Sequence, residues 1–172
     1  MRASAIAMDV RVATAVEADA AEIAALRTAV ADRLTDRFGR GHWSGAVTEK
    51  AVLRAVRNAR VLVARRDGRI VGTLTLATKK PWAIDPKYFT AVDRPLYLTD
   101  MAVDPAIQHM GIGRQLLDDA ASVARSWPAD AIRLDSYDAD AGAGPFYTKC
   151  GLREVGRVTY RGTPLIYFEM VL

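Results

Sequence analysis

Between Leu96 and Ser126 the chain runs from an apolar strand, through an Asp104-Pro105 turn and a loop holding Gly111 and Gly113, straight into a helix. Leu96 to Val103 has the short apolar character of a strand. Gly111 to Ser126 sets Ile112, Leu116, Ala120, Val123 and Ala124 on one helical face before Trp127-Pro128 stops it. A strand, a glycine-containing loop and a helix in this order bind phosphate. Successive backbone N–H groups converge on one spot, the helix dipole adds positive potential, and missing Cβ atoms at Gly111 and Gly113 let a pyrophosphate approach. Two rival motifs fail on their own requirements. A nucleoside-triphosphate loop needs Lys-Ser/Thr after its glycine, where this chain has Arg114-Gln115, and a dinucleotide fingerprint needs a third glycine where it has Leu116.

The rest of the chain supplies a sheet for that helix to cover. Met8 to Ala13 alternates Val10 and Val12 with polar residues, as a first strand does. Thr14 and Glu17 have the spacing of a capping box, and Ile23, Leu26, Val30 and Leu34 then share a helical face that Gly39 and Gly41 end. A shorter helix is expected over Thr48 to Asn58. Val61 to Val63 and Ile70 to Thr78 flank Asp67-Gly68, a preferred pair for a tight hairpin because both positions need positive φ. Ile132 and Leu134 mark a further strand, Gly144 to Cys150 a short helix closed by Gly151, and Arg161-Gly162 a final hairpin between Val155–Tyr160 and Leu165–Val171. The expected fold is α/β: a mixed, mostly antiparallel sheet of six or seven strands with about four helices.

A chain of 172 residues, with 51% hydrophobic and 26% charged side chains, suits one folded domain spanning 1–172, since domains run to roughly 100–200 residues. Met1 to Met8 lacks the ~7–15 apolar residues of a signal peptide, and no run reaches the ~18 of a membrane span. A cytoplasmic, non-membrane location is the expectation. Cys150 is the single cysteine, which excludes an intramolecular disulfide, and only His42 and His109 could join it, so no metal site is expected. The net charge of +4 is spread without a basic run, which argues against nucleic acid and suits an anionic small molecule.

The run Gln108-x-x-Gly111-x-Gly113, after a strand ending at Val103-Asp104-Pro105, resembles the Arg/Gln-x-x-Gly-x-Gly/Ala motif of the GCN5-related N-acetyltransferase (GNAT) superfamily. A second stretch, Asp140, Ala143, Phe146, Tyr147, Gly151 and Leu152, keeps the spacing of that family's Asn-x-x-Ala-x-x-Phe-Tyr-x-x-x-Gly-Phe run, with Asp140 for Asn and Leu152 for Phe. The order of elements is similar to the family's over nearly the whole chain. The resemblance implies acetyl-coenzyme A as co-substrate, with no metal. Its pyrophosphate would lie on the loop from Gln108 through His109, Met110, Gly111, Ile112 and Gly113 to Arg114. Its pantetheine arm would meet Asp140, Phe146 and the backbone of Met101, Ala102 and Val103, where the sheet splays. The implied activity is acetyl transfer to a primary amine by direct attack in a ternary complex.

That chemistry asks for specific groups. An amine attacks a thioester, an oxyanion develops and a thiolate leaves. The resemblance implies that backbone donors at Met101 to Val103 answer the oxyanion, and such donors stabilise it by roughly 3 kcal/mol. Tyr147 is the candidate general acid for the thiolate, or else the group that places the sulfur by hydrogen bonding. The ammonium must lose a proton before attack, and Asp100, at the strand end, is the candidate base, directly or through water. Trp82, Tyr88 and Phe89, in the long aromatic connection from Lys79 to Arg94, either line the acceptor site or cover the sheet edge. The acceptor is a small-molecule amine or a protein amine. The last hairpin offers a strand edge for pairing across a homodimer. A rival reading is a non-catalytic acyl-coenzyme A sensor or partner-binding module, which needs the loop but neither Tyr147 nor an open cleft.

Overall fold

A computed structural model of the chain describes residues 9–172; the expectations for Met1 to Met8 lie outside them. The α/β architecture is as expected. β1 (Arg11–Thr14), β2 (Arg60–Arg66), β3 (Arg69–Ala77), β4 (Pro95–Val103), β5 (Ala131–Tyr137), β6 (Arg153–Tyr160) and β7 (Thr163–Val171) form one sheet in the order β1-β2-β3-β4-β5-β7-β6. The helices are α1 (Ala20–Phe38), α2 (Glu49–Asn58), α3 (Ile112–Ser126) and α4 (Gly144–Lys149). Every strand pair is antiparallel except β4 and β5, which the α3 crossover makes parallel.

Local chemistry places most of these elements. Asp67 and Gly68 take φ of 50° and 78°, and Arg161 and Gly162 take 48° and 82°, so both hairpins turn through two left-handed residues. The Thr48 hydroxyl accepts from the Ala51 N–H and opens α2. Gly39, at φ 79°, ends α1. The capping box is displaced: Thr14 ends β1, and the Asp19 carboxylate, not that of Glu17, accepts from the Val16 N–H at 2.9 Å. A short 3-10 turn over Glu17–Asp19 precedes α1 and shifts its start, which leaves Glu17 to pair with Arg57 of α2 at 2.7 Å.

Strand alternation sorts the core onto two faces. Leu62, Leu74, Leu98, Leu134 and Phe168 pack under α3 and α4 with Leu116 and Ala120. On the opposite face Val61, Val63 and Ile70 meet Ile23 and Val52, from α1 and α2. Further along that second face Phe89 and Ile84 from the 79–94 connection cover Tyr97 and Tyr167. A gap remains between these last two covers, over the middle of β4 and β5.

Candidate active site

The gap coincides with a break in the sheet. β4 and β5 pair only from Pro95↔Ala131 to Tyr97↔Arg133, and beyond that point the strands part. The Asp104 N–H donates to Val71 of β3 at 2.8 Å, and strand residues alternate in direction, so the N–H and C=O of Val103 and Met101 turn toward the parted side. The Gln108 side chain takes up the Val103 carbonyl at 3.1 Å, in keeping with that direction. The same alternation turns Ala102 toward its partner Thr73 on β3. Of the three backbone positions expected at the pantetheine arm, Met101 and Val103 therefore present donors there.

A β-bulge sets this edge. Thr73 pairs with Ala102 and Thr75 with Thr99, so Leu74 of β3 faces both Asp100 and Met101. Asp100 takes φ 56°, a left-handed conformation uncommon for any residue but glycine, asparagine and aspartate. Arg27 of α1 donates to its carboxylate at 2.7 Å, tying the bulge to the helix above it. The sequence-expected base is thus committed to an ion pair.

The loop expected to hold phosphate joins β4 to α3, and its two glycines differ in their reasons. Gly111 is the N-cap of α3 at φ 86°, a left-handed conformation that favours glycine, and a Cβ there would meet nothing within 4 Å, so the space beside it is open. His109, at φ 65°, is left-handed too. Gly113 serves packing: a Cβ would lie 2.9 Å from the Phe146 ring. The Arg114 guanidinium donates to the Lys149 carbonyl at 2.6 Å and so ties α3 to the end of α4. Asp140 is exposed.

Tyr147 lies behind the parted strands. It is 6% exposed, packs edge-on to Phe146, and its hydroxyl stands 3.8 Å from the Met101 sulfur. Burial, then the nearby Asp135 and Cys150, push its pKa above the ordinary phenol range. Burial also raises the pKa of the Cys150 thiol, so no activated thiolate stands beside it.

Below the gap is a cleft of about 560 Å³. Its floor is Leu98 to Ala102 and Asp135 to Tyr137, its wall is the far end of α1 with residues 42–47, and Tyr147 closes one end. Several of these residues carried no sequence signal. Asp135 is half-buried, takes part in no ion pair among the described residues, and burial raises its carboxyl pKa. Trp43 stacks on Gly41, where a Cβ would lie 2.5 Å from the indole, and meets Tyr137 edge-on at 5.7 Å. Alternation along β5 was the one hint that Asp135 and Tyr137 share a face; nothing local pointed to Trp43. The aromatic connection goes elsewhere. Phe89 is buried on Tyr167, Tyr88 packs edge-on to the same ring, and Trp82 is 83% exposed; none of the three lines the cleft.

A Trypanosoma brucei brucei protein named glucosamine 6-phosphate N-acetyltransferase is 33% identical over 86 residues, which is 50% of this chain and 52% of that protein. The PaiA N-acetyltransferase of Thermoplasma acidophilum, solved in complex with coenzyme A, superposes with a TM-score of 0.73 at 14% identity, over 96% of this chain and 100% of its own. The ribosomal-protein-alanine N-acetyltransferase of Brucella melitensis does so with a TM-score of 0.72 at 21% identity, over 94% and 99%. The two structures share the fold, and the chain spans about half the length of the Trypanosoma protein. The acetyltransferase (GNAT) family profile matches residues 27–152, most of the chain and all of the site described above, and the chain belongs to that family.

Proposed function

We propose that residues 1–172 form a single N-acetyltransferase domain that moves an acetyl group from acetyl-coenzyme A to a primary amine by direct attack in a ternary complex. The observation that carries this reading is the parting of β4 and β5, where Tyr147 and Asp135 line one cleft. Backbone N–H groups from His109 to Arg114, at the start of α3, would hold the pyrophosphate, and the open space beside Gly111 fits that role. The coenzyme supplies the acyl thioester. Met101 and Val103 offer the N–H donors for the developing oxyanion.

Asp135, in place of Asp100, takes the proton from the acceptor ammonium. Its raised pKa brings it closer to that task, and no cation among the described residues pairs with it as Arg27 does with Asp100. Tyr147 keeps its proton at neutral pH and donates a hydrogen bond toward the sulfur; with its pKa raised, full transfer to a thiolate is uphill. One proton leaves to solvent per amide formed from an ammonium.

Tyr147→Phe is expected to lower kcat by about 10–100-fold with little change in melting temperature, because the hydroxyl's recorded hydrogen bond is to a thioether. Thiol release and thermal melts check both. Asp100→Gly is expected to keep most of the turnover: glycine adopts the bulge conformation freely, and the exposed ion pair is worth about 0–1 kcal/mol. Asp100→Ala, which keeps the strain and loses the pair, should melt lower than Asp100→Gly. Turnover abolished in Asp100→Gly would return the proton-accepting role to Asp100.

The deciding experiment is calorimetry with acetyl-coenzyme A, followed by free-thiol release against a panel of amines that includes glucosamine 6-phosphate, the acceptor for which the Trypanosoma relative is named. Binding with amine-dependent release supports the reading. Binding without release would favour a sensor, and no binding would overturn both.

A further inference from the structure

Apart from the exposed His42 imidazole, the side-chain polar groups of the cleft wall are used within the protein. The Trp43 indole N–H donates to the Gly39 carbonyl at 3.0 Å, and the Tyr137 hydroxyl donates to the His42 carbonyl at 3.1 Å. The Ser44 hydroxyl bonds the Thr35 hydroxyl at 2.6 Å and accepts from the Gly41 N–H at 3.1 Å. The Val47 N–H donates to Thr28 at 3.0 Å. These bonds fasten the α1–α2 connection in place and satisfy its donors, so Trp43, Ala46 and Val47 contribute mainly apolar surface to the lining. Val30, Ala31 and Leu34 extend that apolar wall along α1.

The charges are balanced in the same way. Arg27 is the one lysine or arginine among the described residues lining the cleft, and Asp100 neutralises it at 2.7 Å. Asp135 is left as the uncompensated carboxylate. An acceptor bearing phosphate or carboxylate would meet that negative charge with no unpaired lysine or arginine among the described lining residues to offset it. A sugar would give up its hydrogen bonds to water and find few replacements, and unpaired polar groups are costly to bury. A polyamine would find a single carboxylate for its several charges. An ammonium on an apolar or aromatic body matches every element: charge to Asp135, body to Trp43 and Tyr137, with cation–π attraction as the two approach. The cleft's volume, shared with the acyl end of the coenzyme, keeps the acceptor small.

We infer that the acceptor is a small monocationic primary amine with an apolar, preferentially aromatic, body, and that Trp43 is a specificity-determining residue. This rests on the acetyltransferase reading above. The test uses the whole protein with acetyl-coenzyme A and measures thiol release with 2-phenylethylamine, glucosamine 6-phosphate and spermidine. Expected is a kcat/KM for 2-phenylethylamine at least 100-fold above the other two. Trp43→Ala should raise the KM for 2-phenylethylamine about 10-fold or more while the Kd for acetyl-coenzyme A stays constant; Trp43→Phe, which keeps a ring on Gly41, should recover most of that loss. Faster turnover of glucosamine 6-phosphate or spermidine would overturn the inference. So would acetyl-coenzyme A binding without turnover of 2-phenylethylamine. Failure to bind acetyl-coenzyme A would instead remove the acetyltransferase reading on which it stands. Should Trp43→Ala fail to fold, Trp43→Phe and the ranking of the three amines still decide.

Discussion

Asp135→Asn is expected to abolish most thiol release, by about 10²–10³-fold, while raising the melting temperature at neutral pH. The first effect follows from losing the proton acceptor in the cleft, since positioned acids and bases contribute about 10²–10⁴-fold. The second follows from linkage. Burial raises the Asp135 pKa in the folded protein, so the folded state holds that proton more tightly than the unfolded chain. The protein therefore loses stability as pH rises from the ordinary carboxylate range through the raised pKa, and carries the full cost above it. Asparagine has no proton to lose and escapes that cost. The variant should melt higher than the parent at pH 7, each kcal/mol appearing as about 2–4 °C, and the two should converge below pH ~4. Melts across pH, with thiol release at pH 7, check both effects. A variant that melts lower at pH 7 would show that the carboxylate is a structural acceptor, and the proposed role would fall.

Gly111→Val is expected to weaken acetyl-coenzyme A binding by at least about a hundredfold, with a smaller effect on the fold. A β-branched residue at φ 86° is strained by about 1–2 kcal/mol, and the relaxed loop would turn its N–H groups away from the pyrophosphate. Each charge-assisted hydrogen bond lost costs about 1.5–3 kcal/mol, so two suffice for the expected loss. Gly111→Asn is the control. Asparagine tolerates the left-handed region, and the space at this position is open, so it should bind markedly better than valine does. Calorimetry on the two variants decides: equal affinities would mean that the backbone conformation at 111 does not set the site. Gly113 behaves differently, since a side chain there would press on Phe146 and disturb the fold before it reached any ligand.

The parts of the site that were legible before the structure are those built by adjacent residues. The loop from Gln108 to Gly113 announces itself through glycines between a strand and a helix, and Tyr147 through the spacing of Phe146 and Gly151 around it. For the aromatic connection the sequence left two roles open, lining the acceptor site or covering the sheet, and the packing of Tyr88 and Phe89 on Tyr167 is of the second kind. Trp82, Tyr88 and Phe89 stand out in a long connection, but that connection is pinned to the far half of the sheet: Glu169 accepts from the Thr90 N–H at 3.0 Å and Arg133 donates to the Thr90 carbonyl at 2.7 Å. The aromatic residue that reaches the cleft is Trp43, in a short stretch between helices with no periodicity to mark it. Asp100 drew notice because it ends a strand beside the loop, yet its charge is spent on Arg27, 73 residues earlier.

The sequence alone determined the elements, both tight hairpins, the glycine-based loop and the family, because turn conformation and hydrophobic period depend on neighbours within a few residues. Tertiary structure alone decided which carboxylate of the cleft lacks an ion-pair partner among the described residues and which aromatic ring lines its wall. Those depend on pairs such as Arg27 with Asp100 and Tyr137 with His42, brought together across 73 and 95 residues of chain. Charge compensation and burial are properties of the assembled neighbourhood, and no local pattern encodes them.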